Sequence, residues 1–126
     1  MAYVTLKPGM SAEAEQLRAF ALERVPERPA APSEVIILEQ MPVTAVGKIF
    51  KPSLRHDATR RAIQAALAPL SAEGITIEVE VLPHERHGTL TRVTAQSGPS
   101  MTGEQVRERI AVLLAPFIGY REVRVL

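Results

Sequence analysis

After Gly74 the apolar residues fall on alternate positions. Ile75, Ile77, Val79 and Val81 point one way, with Thr76, Glu78 and Glu80 between them. A period of two is the mark of a strand with one dry face and one wet face. "PHERHG" then makes a turn, and "TLTRVTA" returns as the partner strand. The pattern next changes period. Thr102 with Gln105 forms a capping box. It opens a helix that buries Val106, Ile110, Leu113, Leu114 and Phe117, and "EVRVL" closes the chain as a last strand.

The first half alternates in the same way. Residues 3–7 read as a strand closed by Pro8 and Gly9. Ser11 is placed to cap a helix whose apolar face is Leu17, Phe20, Ala21 and Val25. "PERPAAPS", 26–33, holds three prolines and forms a loop. "EVIILE", 34–39, is a short run rich in β-branched residues, which predicts a buried strand. Asp57 is placed to cap a helix running to about Leu70, with Ile63, Leu67 and Leu70 on one face. The expected class is α+β, a small mixed sheet with packed helices.

A chain of 126 residues makes one domain or two very small ones. It has no cysteine, which excludes disulfide scaffolds, thiolate metal sites and cysteine nucleophiles, and suits a cytoplasmic protein. No apolar run approaches about 18 residues, so no membrane span is expected. The net charge is only +1, but it is unevenly placed. Residues 48–61 carry Lys48, Lys51, Arg55, Arg60 and Arg61 against Asp57 alone. Such a segment attracts an anionic partner. Nucleic acid is not expected, because aromatic residues are scarce and the basic run is short.

A weak internal repeat runs through the chain. "VTLKPGMSAEAEQLR", 4–18, aligns without gaps on "VTAQSGPSMTGEQVR", 93–107, and "EVIIL", 34–38, mirrors "EVRVL", 122–126. Either one architecture is used twice, or two strand–helix units share turn and cap chemistry by chance.

The positive segment begins within "PVTAVGKIF", 42–50. A glycine next to a lysine invites a phosphate-loop reading. That loop needs a glycine five residues earlier and a Ser or Thr afterwards. Here those positions hold Pro42 and Ile49, so the reading fails.

"MPVTAVGKIFKPSLR" instead resembles the C-terminal signature of the AMP-forming adenylating enzymes, the superfamily of acyl-CoA synthetases, peptide synthetase adenylation domains and luciferases. Pro42, Thr44, Gly47, Lys48, Ile49, Lys51, Leu54 and Arg55 match that pattern at its spacing. The preceding strand–helix–strand, "AYVTLKPG", "SAEAEQLRAFALERV" and "EVIILEQMP", is similar to that superfamily's small C-terminal domain. "VGKIFKP" looks most like the bacterial acyl-CoA synthetases.

The resemblance covers roughly residues 1–55 and implies several things. Residues 1–56 are expected to belong to the small domain that carries the catalytic-lysine loop, and 57–126 to be an appended α+β extension packed with it. Lys48 is implied to be catalytic in the first half-reaction, where a carboxylate attacks the α-phosphorus of ATP and pyrophosphate leaves. A fixed ammonium stabilises the charge that develops there. Gly47 gives the loop close passage and Thr44 orders it, while Lys51 and Arg55 are possible contacts for CoA or phosphate. ATP, Mg2+ and CoA are implied as ligands, bound mainly by an N-terminal adenylation domain. That domain and a small carboxylic acid are the implied partners. The chain is then a fragment, inactive alone. Lys48 also becomes a candidate for reversible acetylation, which removes its charge.

Other features carry less. "HERH" spaces His84 and His87 three apart, but the helical zinc motif uses four and no further ligand is evident, so no metal is expected and a solvated turn is the favoured reading. His56 beside Asp57 resembles a general-base pair, yet its place at an expected helix start favours capping. Arg60 and Arg61 are expected on a solvated face. The rival to an enzyme part is a non-catalytic α+β interaction or regulatory module.

Overall fold

The computed structural model describes all of residues 1–126. The chain divides into two compact units, Met1–Leu54 and Arg55–Leu126. The class is α+β, but the single small sheet expected resolves into two: one of two strands and one of three.

In the first unit β1 (Ala2–Thr5) and β2 (Val35–Leu38) flank α1 (Ala14–Arg24). The two strands run parallel, with Ala2 opposite Val35 and Thr5 opposite Leu38. α1 stops at Val25, which is extended at φ −79 and ψ 120. The residue before a proline is kept out of the α region by the ring, and Pro26 follows. Val35 is the only fully buried apolar side chain in this unit.

Two expectations for α1 are corrected. Ser11 does not cap it. The cap is Glu13, whose N–H donates to Gln16 Oε1 at 3.0 Å. The N3 side chain reaching back decides the start, even though glutamate is not a usual cap. Phe20 does not join a buried face either. It is 56% exposed, and the Arg24 guanidinium lies over its ring at 3.8 Å.

α2 (Lys51–Ala72) starts in the last residues of the first unit and belongs to the second from Arg55 on, where β3 (Thr76–His84), β4 (Gly88–Gln96), α3 (Gly103–Leu113) and β5 (Tyr120–Val125) follow in order. The sheet order is β3-β4-β5, antiparallel across the first pair and parallel across the second. Val79, Val93 and Val123 lie in register across it, with Ile77, Ala95 and Val125 beside them. Against this face pack Ile63, Leu67 and Leu70 of α2, with Val106 and Ile110 of α3 and the following Leu114. The opposite face carries Glu80, Arg92 and Glu122, again in register. Arg92 donates from Nε to Glu122 Oε2 at 2.8 Å and from Nη1 to Glu80 Oε2 at 3.4 Å. The period of two after Gly74 is therefore realised as expected.

Asp57 does not cap α2. The helix starts at Lys51, before Asp57, and tolerates Pro52 because the first helical turn needs no N–H bond there. Asp57 lies inside the helix and accepts from Arg60 Nη2 and from Arg61 Nε at 2.7 Å. Arg60 and Arg61 are thus paired rather than merely solvated.

The repeat has a partial structural counterpart. Each unit contains a strand–helix–strand whose two strands pair in parallel. Gln105 Oε1 accepts from the Thr102 N–H at 2.9 Å, the same task that Gln16 performs at the aligned position. The registers differ by two residues: Val4 faces Ile37, while Val93 faces Val123 rather than Val125. A slip of two keeps every side chain on its face.

Two outcomes follow from this packing. Leu67 is 1% exposed in the core of the second unit, so Leu67→Ala is expected to lower its stability by about 2–5 kcal/mol, read from urea unfolding. Arg92, and then Arg124, hold the Glu122 carboxyl below its ordinary 4.5. A depressed carboxyl stabilises the fold above its unfolded value and loses that contribution as pH falls through the folded one. The gap in unfolding temperature between the parent and Glu122→Gln is expected to be open at neutral pH and to close below 4.5.

Candidate functional site

Residues 42–50 fold back on themselves as a small closed hairpin. Val43 and Ile49 form an isolated antiparallel bridge. Phe50 N–H donates to the Pro42 carbonyl at 2.8 Å, and Thr44 N–H donates to the Lys48 carbonyl at 2.7 Å. Inside that ring Gly47 N–H donates to the Thr44 carbonyl at 2.9 Å, which closes a tight turn over Ala45 and Val46. Gly47 has φ +82, a left-handed conformation open to glycine at little cost. Thr44 Oγ1 accepts from the Lys48 N–H at 3.2 Å.

The result is a lysine whose backbone is fixed from both sides. Its N–H and its carbonyl are both engaged with Thr44, while its side chain is exposed. Around it the loop presents apolar surface to solvent: Val46 is 80% exposed, and Val43, Ile49 and Phe50 are exposed too. An exposed ammonium on a flexible stem that springs from a fixed backbone, beside uncovered apolar side chains, is suited to entering another surface and delivering charge there.

Lys51 is the first residue of α2 and Arg55 lies one turn further on. Both are exposed. The first turn of α2 has no acidic residue, so its positive end faces no internal counter-charge. Lys48 and Lys51 lie in the first unit and Arg55 opens the second.

The histidine turn is more ordered than a solvated tip. His84 Nδ1 accepts from the backbone N–H of Arg86 at 3.3 Å and of His87 at 3.2 Å. His87 stacks on Tyr120 with ring centroids 4.2 Å apart, and His84 lies 5.0 Å from the same ring. Tyr120 was not legible as a partner. It reaches the turn only because β5 pairs with β4 in a register that puts Tyr120 beside Leu90. No three His, Cys, Asp or Glu side chains gather as a metal cluster. No helix is long and apolar enough to cross a membrane.

Comparison with known proteins adds one relationship. Over 93 residues the chain is 28% identical to marinolic acid–CoA ligase of Pseudoalteromonas sp. (strain SANK 73390). That stretch is 74% of this chain and 14% of the ligase, so the chain matches only a small part of its relative. The match is longer than either compact unit and takes in part of both, which extends the likeness beyond residues 1–55. No family model matches the chain. No solved structure matches it either.

The loop geometry makes two expectations measurable. Gly47→Ala meets no atom at its new Cβ, so any cost is backbone strain alone, about 1–2 kcal/mol. It is expected to speed hydrogen exchange at the Gly47-position amide. Thr44→Val keeps the shape but removes the acceptor of the Lys48 N–H. Exchange at that amide should rise several-fold, in line with a loss of about 1 kcal/mol.

Proposed function

We propose that this chain is the C-terminal portion of an AMP-forming acid–CoA ligase, and that Lys48 is its adenylation lysine. The overall reaction is acid plus ATP plus CoA giving acyl-CoA, AMP and pyrophosphate. The single observation that carries the reading is the Lys48 loop: a backbone locked by Thr44 and Gly47 with a free, exposed ammonium. The partial likeness to an acid–CoA ligase supports it.

In the first half-reaction the acid's carboxylate oxygen forms a bond to the α-phosphorus, and the bond to pyrophosphate breaks. Negative charge shifts onto the bridging and leaving oxygens. Lys48 stabilises that shift by supplying a fixed positive charge where it develops. In the second half-reaction the CoA sulfur, losing its proton, bonds to the acyl carbon, the bond from that carbon to the phosphate oxygen breaks, and AMP leaves with the electron pair, so no bond to phosphorus forms or breaks. Lys48 is then not needed.

ATP, its magnesium and CoA bind mainly to an N-terminal adenylation domain beyond this chain, with Lys51 and Arg55 as contributing phosphate contacts. The acid is small. The exposed Val46, Ile49 and Phe50 around Lys48 are the surface that meets that domain. Such a subunit works in the cytoplasm, where ATP and CoA are supplied. The ammonium of Lys48 is open to acetylation, which would switch off the first step alone.

The test uses the longest chain that the gene encodes, as parent and as Lys48→Ala. Adenylate formation is measured by pyrophosphate release, and CoA transfer from a supplied acyl adenylate is measured separately. Loss of the first by about a hundredfold or more, with the second kept within a few-fold, is the expected result. Both steps surviving intact would reduce the loop to a surface turn and favour the non-catalytic module.

A further inference from the structure

In the second unit the contact between α2 and β4 begins as an apolar seam and ends as a polar one. Along α2 the buried stripe runs Leu70, Leu67 and Ile63, and beyond it the half-buried His56 and the exposed Thr59 line the cleft instead. Along β4 the covered face runs Ala95, Val93 and then turns to Thr91 and Thr89. Both sides change character at the same end, and there a cleft of about 280 Å³ opens.

Thr91 is the chain's one buried polar residue, at 7% exposure, on a strand face that otherwise asks for an apolar side chain. Arg55 lines the same cleft. It contrasts with its neighbours on the helix: Arg60 and Arg61 are both held by Asp57, whereas the Arg55 guanidinium has no carboxylate partner. No carboxylate lines the cleft at all. Ile118, fully exposed, and Tyr120, stacked on His87, also line it.

We propose that this cleft binds a phosphate monoester. Arg55 and the hydroxyls of Thr59, Thr89 and Thr91 receive the phosphate, and the organic part of the ligand lies on Ile118 and Tyr120. A guanidinium with several hydroxyl donors and no nearby acid is matched to a compact dianion. A carboxylate would use fewer of those donors. The apolar lining distinguishes a monoester from the free ion. The site is built from residues of the second unit alone and does not use Lys48, and it takes Arg55 for this cleft rather than for the nucleotide contact given to it above.

The experiment titrates the 126-residue chain with phenyl phosphate, inorganic phosphate and benzoate, following backbone amide shifts. Phenyl phosphate should saturate, with shifts centred on Thr59, Thr89, Thr91, Gly119 and Tyr120. It should bind about tenfold tighter than either inorganic phosphate or benzoate, a gap of roughly 1.4 kcal/mol. Arg55→Gln should weaken it by tenfold or more, as expected for a lost charged hydrogen bond of about 1.5–3 kcal/mol. Thr91→Val is the sharper variant. Placing an apolar side chain in the seam should leave the unfolding temperature equal or higher, yet weaken binding by about fivefold or more. A purely structural threonine could not give that combination. No saturable shift, equal affinity for inorganic phosphate or for benzoate, or unchanged binding in both variants would each overturn the proposal.

Discussion

Four hydrogen bonds within nine residues hold the Pro42–Phe50 loop, and two of them grip the backbone of Lys48. Much of the functional account depends on that closure. A lysine side chain is long and flexible, and ordering it costs up to about 2 kcal/mol of rotamer freedom. Fixing the backbone from both sides leaves that side-chain cost in place but removes the separate cost of ordering the main chain before any partner arrives. Thr44 and Gly47 do this by different means: one supplies an acceptor, the other a conformation at φ +82. What remains mobile is the ammonium, the part that must enter and leave.

The two units differ in how completely they bury themselves. The second has a closed core of aliphatic side chains between one sheet face and two helices. The first has a two-stranded sheet, one helix and a single fully buried valine. Two strands with one helix make a marginal core. Several of its large apolar residues stay at the surface, Phe20, Val46, Ile49 and Phe50 among them. The first unit therefore presents a lysine with a fixed backbone from a thin scaffold, with apolar surface around it. The second unit carries its own polar cleft where the α2–β4 seam runs out of apolar residues.

Much of this was legible in the sequence because it rests on local periodicity. The alternation from Ile75 to Val81, the Ile63–Leu67–Leu70 stripe and the Thr102–Gln105 box need only neighbours in the chain. The misreadings have equally local causes. Asp57 looked like a cap because aspartate before an apolar stripe usually is one, yet Pro52 allows α2 to begin at Lys51, about two turns earlier. Glu13 was passed over because its type rarely caps. The signal that could have found it was the identity of Gln16 with Gln105, which pointed to one box used twice. Phe20 was assigned to a core by spacing alone, when Arg24 one turn on offers it a cationic cover. The meeting of Tyr120 with His84 and His87 depends on sheet register across distant segments, which no single stretch of sequence carries. The cleft by Thr91 escaped for the same reason, since its polarity is visible only once α2 and β4 lie side by side.

The central claim is that the charge of Lys48, and not the shape of its loop, serves one step of two. The most direct measurement places acetyl-lysine at position 48 in the longest chain the gene encodes. That change leaves the backbone donors and acceptors of the loop intact and removes only the charge. The account predicts that adenylate formation falls by about a hundredfold or more, that CoA transfer from a supplied adenylate persists, and that enzymatic deacetylation restores the first step. Adenylate formation at the parent rate with the acetyl group in place would contradict it.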